Sequence, residues 1–484
     1  MEGYSGRVIR RTRALIFGTV SKFGLNILQL IVVARYSSPS TFGYLAIALA
    51  IITLSQIIIN LGFKETFIIR KKISRVQISS MFWLSTILSL VIAIAIIFVS
   101  NFAIKNTELT PFLYVTSGII ILNPLYQIQL ANFEKNFLHD KATKIEVVAL
   151  FSGVMLSLYC AMRGYEAISI LYGMVCTSSV MNIGLWFSPN SRSVSMEMKI
   201  SSIGSIAKKS SKILASNLLV SLTFYMDILI AGFIQPSTQL GLYANAKDIN
   251  FRIQRVFNPI ASRQLLPSAA RLTKKAGSNG QLLLNTVEDL CFYSAPIYVS
   301  LAVTSNQFLP ILFGEQWAAA APIFSCLSAW GLFRSVSNQS SVFLMGSDRV
   351  GTLFLFNAST ALWYIVTIPL IINLGFFSLA LYLASTNGLF LLIILFLCDT
   401  GHKNKILKPI LISISKPILI SVVIHIVLIL FSYQNKVIFS ENNLVNLFMI
   451  YLLFSSVYLL ASSVFNKKPM KRFVKLILNI SRGR

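Results

Sequence analysis

At 484 residues, 55% apolar and with a mean hydropathy of +0.73, the chain is too hydrophobic for a soluble multidomain protein, whose apolar share runs about 45–50%. Only 12% of residues are charged, and the net charge of +26 gathers in short clusters between apolar runs, which sets nucleic-acid binding aside. Runs such as Leu88–Val99 and Leu389–Cys398 are apolar nearly throughout, which excludes the alternating strands of a membrane barrel.

The sequence therefore predicts an all-α polytopic membrane protein with about fourteen transmembrane helices, because about 20 apolar residues cross the hydrocarbon core and lipid satisfies no open backbone group. In chain order the spans are expected at 14–34, 42–62, 79–99, 112–132, 146–162, 167–187, 212–234, 241–268, 287–313, 321–346, 352–373, 377–398, 409–431 and 443–465. The basic start Met1–Arg13 leads into the first span without a small-residue cleavage site, so an uncleaved helix is expected there. Cys160, Cys176, Cys291, Cys326 and Cys398 lie scattered in apolar segments and read as small core residues.

With the N-terminus placed inside, each even-numbered connection falls on the cytoplasmic side. These connections hold Arg70, Lys71, Lys72 and Arg75, later Lys135, Lys141 and Lys144, then Arg192, Lys199 and Lys208, and finally Lys467, Lys468, Lys471 and Arg472. The opposite loops carry Arg35, Lys105, Arg163 and Lys436, a one-sided bias that puts both termini in the cytoplasm.

The expected organisation is an N-terminal six-helix bundle (1–188), a serine-rich cytoplasmic linker (189–211), a second six-helix bundle (212–400), helices thirteen and fourteen (401–466), and a basic amphipathic tail (467–484). That tail suits either the anionic inner leaflet or a plain stop-transfer end. The two bundles read as a pseudo-symmetric pair. Ala34 is followed five residues on by Pro39-Ser40-Thr41 and then Gly43-Tyr44, and Ala231 by Pro236-Ser237-Thr238 and then Gly241 and Tyr243. Parallel repeats of this sort are a transporter architecture.

No enzyme signature is found. His139, His402 and His425 have no metal-ligand spacing, and no phosphate-cradling glycine loop occurs, so neither catalysis nor a cofactor is expected. Attention passes to charges inside spans, which are costly in lipid and usually face a cavity or a partner. Lys22 lies midway along the first span and Arg334 near the middle of the tenth. Asp248, Arg252 and Arg255 fall at i, i+4 and i+7 on one face of the eighth.

A face with more cations than anions suits a phosphate or diphosphate, whose oxygens match the guanidinium fork. Lys22, Arg252, Arg255 and Arg334 are thus the candidate substrate-binding residues, and Asp227 and Asp248 candidates for ion coupling or pairing. Structural alternatives stand beside each. Asp248 and Arg252 could neutralise one another, Lys22 could pair with Asp227, and Arg334 could meet a carboxylate elsewhere. Glu288 and Asp289 read as solvated, and Pro259, Pro267 and Pro296 as points of bending.

Ser21-Lys22 leading to Ala34-Arg35-Tyr36-Ser37-Ser38-Pro39-Ser40-Thr41-Phe42-Gly43, then Gly62-Phe63, Met226-Asp227 and Gly241-Leu242-Tyr243, form an ordered series of motifs. With Asn258-Pro259 through Leu266-Pro267 and Leu312-Phe313-Gly314-Glu315-Gln316-Trp317, the chain resembles the Wzx-type polysaccharide flippases of the multidrug/oligosaccharidyl-lipid/polysaccharide exporter superfamily. That resemblance implies a flippase in the bacterial inner membrane, moving an undecaprenyl-diphosphate-linked oligosaccharide from the cytoplasmic to the outer leaflet by alternating access. The pathway implied is O-antigen, capsule or exopolysaccharide synthesis. A monomer in the lipid bilayer is expected, with a polysaccharide polymerase and glycosyltransferases as implied partners and no nucleic acid. Lipid-II flipping and multidrug efflux are the alternatives within the superfamily, and a membrane scaffold without transport is a third.

Overall fold

The computed structural model describes residues 18, 21–69, 73–102, 107–136, 138–199, 204–272, 279–399, 406–435, 444–466, 468–472 and 474. Among them there is helix and no strand. In order the helices are α1 (21–35), α2 (Pro39–Asn60), α3 (Phe63–Ile69), α4 (Arg75–Phe102), α5 (Thr110–Lys135), α6 (His139–Cys160), α7 (Ile168–Trp186), α8 (Gly204–Ile234) and α9 (Ser237–Leu272). They continue as α10 (Asn279–Val303), α11 (Ser305–Phe313), α12 (Ala321–Gly346), α13 (Val350–Ile371), α14 (Phe376–Asp399), α15 (Leu407–Asn435) and α16 (Leu444–Phe465).

Each expected span overlaps helix among the described residues, and the chain is a multi-pass membrane protein. Ten helices among the described residues are long and apolar enough to cross a bilayer, or eleven if α10 and α11 form one bent span. The helix α9 is not among them, because Lys247, Asp248, Arg252 and Arg255 interrupt its apolar character. The expected bends also move. Helix α9 runs unbroken through Pro259 and Pro267, whereas the sharp turn of 83° falls at Thr304, between α10 and α11.

The chain divides into two compact units, Met1–Gly241 and Leu242–Arg484. In the first, Pro39 occupies the opening turn of α2, where its missing N–H costs nothing. Left-handed Leu61 (φ 47°) and Gly62 (φ 69°) end that helix. Helices α6 and α7 approach closely through Gly153 and Gly173, each of which lies where a Cβ would meet the other's carbonyl oxygen, at 2.4 and 2.5 Å. Small residues at such crossings let backbones gain dispersion contact, the main attraction left once lipid replaces water. The serine-rich segment after α7 is strapped to this unit. Gln129 exchanges two hydrogen bonds with the Arg192 backbone, at 2.7 and 2.9 Å, and the Trp83 indole donates to Ser195 O at 3.0 Å.

The second unit has its largest core where α9, α10, α12, α14 and α15 bring together Leu265, Val287, Val336, Phe343, Leu395 and Ile410. A smaller apolar layer of Phe292, Ile424, Leu428, Phe454 and Tyr458 joins α15 and α16 to α10.

Candidate functional site

The helical repeat of 3.6 residues sorts the polar side chains of α9 onto two faces. On one, Arg252 Nε donates to Asp248 Oδ2 at 2.6 Å and Arg255 Nη2 to Asp248 Oδ1 at 3.3 Å. Both carboxylate oxygens are engaged, and two cations converge on this one anion. Arg255 is the more open, 55% exposed at its side chain and lying 4.8 Å over the Phe251 ring. Two guanidinium groups offer more N–H donors than a single carboxylate can take up.

The other face of α9 is buried and polar. Lys247, Asn250 and Gln254 are each at most 2% exposed. The Lys247 ammonium sits 5.9 Å from the Tyr243 ring centre and 5.6 Å from that of Trp330 on α12. One turn beyond, the half-buried Arg334 guanidinium lies 5.4 Å from the same indole. Trp330 thus receives two cations, an arrangement that the quadrupole of an indole favours. Farther along, Gln339 Nε2 donates to Asn258 O at 3.4 Å, and Ser262 Oγ donates to Gln339 Oε1 at 3.2 Å.

In the first unit, Lys22 Nζ donates to Glu146 Oε2 on α6 at 2.5 Å, with side-chain exposures of 34% and 24%. The weighed pairing of Lys22 with Asp227 is therefore replaced by an ion pair within reach of α1, while Asp227 is buried in α8. The alternative in which Asp248 and Arg252 neutralise one another is realised, with Arg255 added. Glu288 and Asp289, expected to be solvated, both pair with Arg472 at 2.8 Å. Of the residues singled out from sequence, the structure unites Asp248, Arg252 and Arg255, ties Arg334 to Lys247 through Trp330, and leaves Lys22 with Glu146. Glu146, Lys247 and Trp330 were not among the candidates. Among the described residues no group of three or more His, Cys, Asp or Glu side chains could hold a metal ion.

This geometry offers cations held within packed helices. A family model described as "Polysaccharide biosynthesis protein" matches residues 32–322. The chain is 27% identical over 357 residues, 72% of each chain, to the lipopolysaccharide biosynthesis protein WzxC of Escherichia coli (strain K12). It is 24% identical to the teichuronic acid biosynthesis protein TuaB of Bacillus subtilis (strain 168), covering 64% of this chain and 65% of that one. To the succinoglycan biosynthesis transport protein ExoT of Rhizobium meliloti (strain 1021) it is 20% identical over 346 residues, 70% of this chain and 69% of that one. Among solved structures, the lipid II flippase MurJ in an inward closed conformation superposes with a TM-score of 0.77 at 14% identity, over 95% of this chain and 99% of that one. An inward-facing multidrug transporter of the MATE family reaches 0.50 at 14% identity, over 78% and 96%.

Proposed function

The chain belongs to the polysaccharide biosynthesis protein family matched over residues 32–322, and from that premise we propose that it is a flippase carrying an undecaprenyl-diphosphate-linked oligosaccharide from the cytoplasmic to the outer leaflet by alternating access. The observation that carries this proposal is the convergence of two guanidinium groups, Arg252 and Arg255, on the Asp248 carboxylate of α9, with Arg255 largely exposed. A diphosphate brings negative charge and oxygens that match a guanidinium fork. Arg334, half-buried over Trp330, is a second phosphate ligand in the same unit. Lys22, half-exposed on Glu146, is a third candidate. In this scheme no covalent step occurs; the side chains bind and release.

The basic clusters between spans support an inner-membrane location with both termini cytoplasmic. Asp248 is committed to two guanidinium groups, which suits it to holding them apart and not to carrying an ion. Asp227, buried in α8, is the other candidate for ion coupling, since ionisable side chains within spans mark ion and proton pathways.

The test is delivery of lipid-linked oligosaccharide to the outer leaflet in cells or vesicles, normalised to the amount of folded protein. Arg255→Ala together with Arg334→Ala should lower delivery roughly tenfold or more, since hydrogen bonds to charged groups contribute about 1.5–3 kcal/mol each. Asp248→Asn, which removes the carboxylate that both arginines share, should cost less than loss of either. Unchanged delivery by the double variant at unchanged protein level would remove the cationic mechanism. Equal delivery of lipid II would remove the assignment of cargo.

A further inference from the structure

A second charged site, lined by no residue of α9, lies beside α15 and the end of α16, near where Arg472 pairs with Glu288 of α10. A pocket of about 270 Å³ there is lined by Lys416 and Ser413 of α15, Glu288 of α10, and Val464, Asn466 and Lys468 at and beyond the end of α16. Glu288 brings little free charge, because Arg472 donates to its Oε2 at 2.8 Å and Ser413 to its Oε1 at 3.3 Å. Lys416 and Lys468 are exposed and make no hydrogen bond or ion pair with any described residue.

Asn466 adds an independent observation. It is only 8% exposed, and its Nδ2 has no hydrogen-bond partner among the described residues. An amide donor buried without an acceptor costs about 1–3 kcal/mol, so a buried donor beside two unspent ammonium groups marks a place for an anion. The surroundings say which kind. Val464 and Phe465 are 59% and 67% exposed, as are Leu411 and Ile412 of α15 in lesser degree, so an apolar surface adjoins the cations. A free phosphate would gain nothing from that surface, whereas a phospholipid would lay its chains along it.

We propose that the foot of α15 and α16 binds the phosphate head group of an anionic phospholipid, held by Lys416, Lys468 and the Asn466 amide, with its acyl chains against the apolar faces of the two helices. Basic pockets between transmembrane helices recognise lipid head groups in this manner. The site is separate from the arginines of α9 and does not depend on what the protein carries.

The experiment is native mass spectrometry of the full-length, delipidated protein titrated with phosphatidylglycerol, and in parallel with phosphatidylcholine, inorganic phosphate and undecaprenyl diphosphate. Phosphatidylglycerol should be retained in preference to phosphatidylcholine. Lys416→Gln with Lys468→Gln, both at exposed positions, should weaken that retention roughly tenfold or more, since each basic residue near an anionic lipid contributes on the order of 1 kcal/mol. Asn466→Leu, which removes the orphan donor and keeps the lysines, should weaken it by a smaller factor, with an unchanged helical circular dichroism spectrum. Equal retention by wild type and the lysine double variant would overturn the site. So would full competition by millimolar inorganic phosphate, which would mark an anion site and not a lipid site. Retention of undecaprenyl diphosphate alone would overturn the phospholipid assignment in favour of cargo.

Discussion

Gly43 and Gly241 each lie against the backbone that opens the other's helix. A Cβ on Gly241 would come within 1.7 Å of Pro39 O, and one on Gly43 within 2.1 Å of Ser237 O. These are the corresponding glycines of the two Pro-Ser-Thr motifs, and both lie in the first compact unit. The motif recurs at this contact because a close approach of two helix starts admits no side chain on either.

Gly43→Ala and Gly241→Ala should therefore each destabilise the protein by overpacking, by roughly 1–3 kcal/mol. The atoms that a new methyl group would strike are backbone, which cannot swing aside as a side chain can. The check is thermal unfolding in detergent, with Gly118→Ala as control, since a Cβ there meets nothing within 4 Å. A control that lowers the midpoint as much as the two motif variants would dismiss the contact.

The turn between α6 and α7 holds the start of α2. Glu166, left-handed at φ 47°, accepts hydrogen bonds from the Ser38 backbone N–H at 3.0 Å and from the Ser38 and Thr41 hydroxyls, each at 2.7 Å. Burial pushes its carboxyl up, but the Ser38 and Thr41 hydrogen bonds outweigh that and hold it below its ordinary value of 4.5. A carboxyl depressed on folding contributes stability that is complete above its unfolded value and fades as pH falls toward the folded one. Unfolding midpoints measured from pH 6 down to pH 3 should thus fall below about pH 4.5 in the wild type. Glu166→Gln should lower the midpoint at neutral pH and flatten that acid limb; an unchanged acid limb would show that other carboxylates set it.

Helix positions were legible because apolar runs of bilayer length leave the backbone one way to satisfy itself. Partners were not. Glu146 stands two residues past Lys144, at the very start of the expected span 146–162, yet α6 already begins at His139 and carries Glu146 on its second turn. Periodicity placed Asp248, Arg252 and Arg255 on one face, but it could not say that Lys247, their neighbour, turns inward to Trp330. A tryptophan in an apolar span reads as core until a second helix brings it a cation. Glu288 and Asp289 read as solvated because Arg472 lies more than 180 residues away in sequence.

That last contact makes a third prediction. Arg472 grips two adjacent carboxylates through two nitrogens, Nη2 to Glu288 and Nε to Asp289. Lysine presents a single ammonium and cannot reproduce the fork. Arg472→Lys should accordingly lose most of what Arg472→Ala loses, on the order of 1 kcal/mol at these part-exposed positions. Added salt should narrow the gap between wild type and variant, since part-exposed charges are screened. Limited proteolysis of the tail, compared at low and high ionic strength, reads the effect directly; a tail equally protected in wild type and Arg472→Ala would mean that Met470, packed against the apolar layer of Phe292, Phe454 and Tyr458, holds it.

Lys22 and Glu146 pose the remaining question, whether a cation inside the first unit serves the fold or the cargo. Removing either partner strands the other charge among apolar helices, so Lys22→Gln and Glu146→Gln should each destabilise the protein, by an amount tempered by the quarter to third of each side chain that remains exposed. Removing both leaves no stranded charge, and the double variant should recover much of the loss, a coupling that a double-mutant cycle measures. Cargo binding makes a different demand. If Lys22 also meets the diphosphate, the double variant should unfold near the wild-type temperature and still deliver less oligosaccharide to the outer leaflet, because restoring neutrality does not restore the ammonium. Recovery of both stability and delivery would assign the pair to the fold alone and leave the arginines of α9 with Arg334 as the cationic residues that bind.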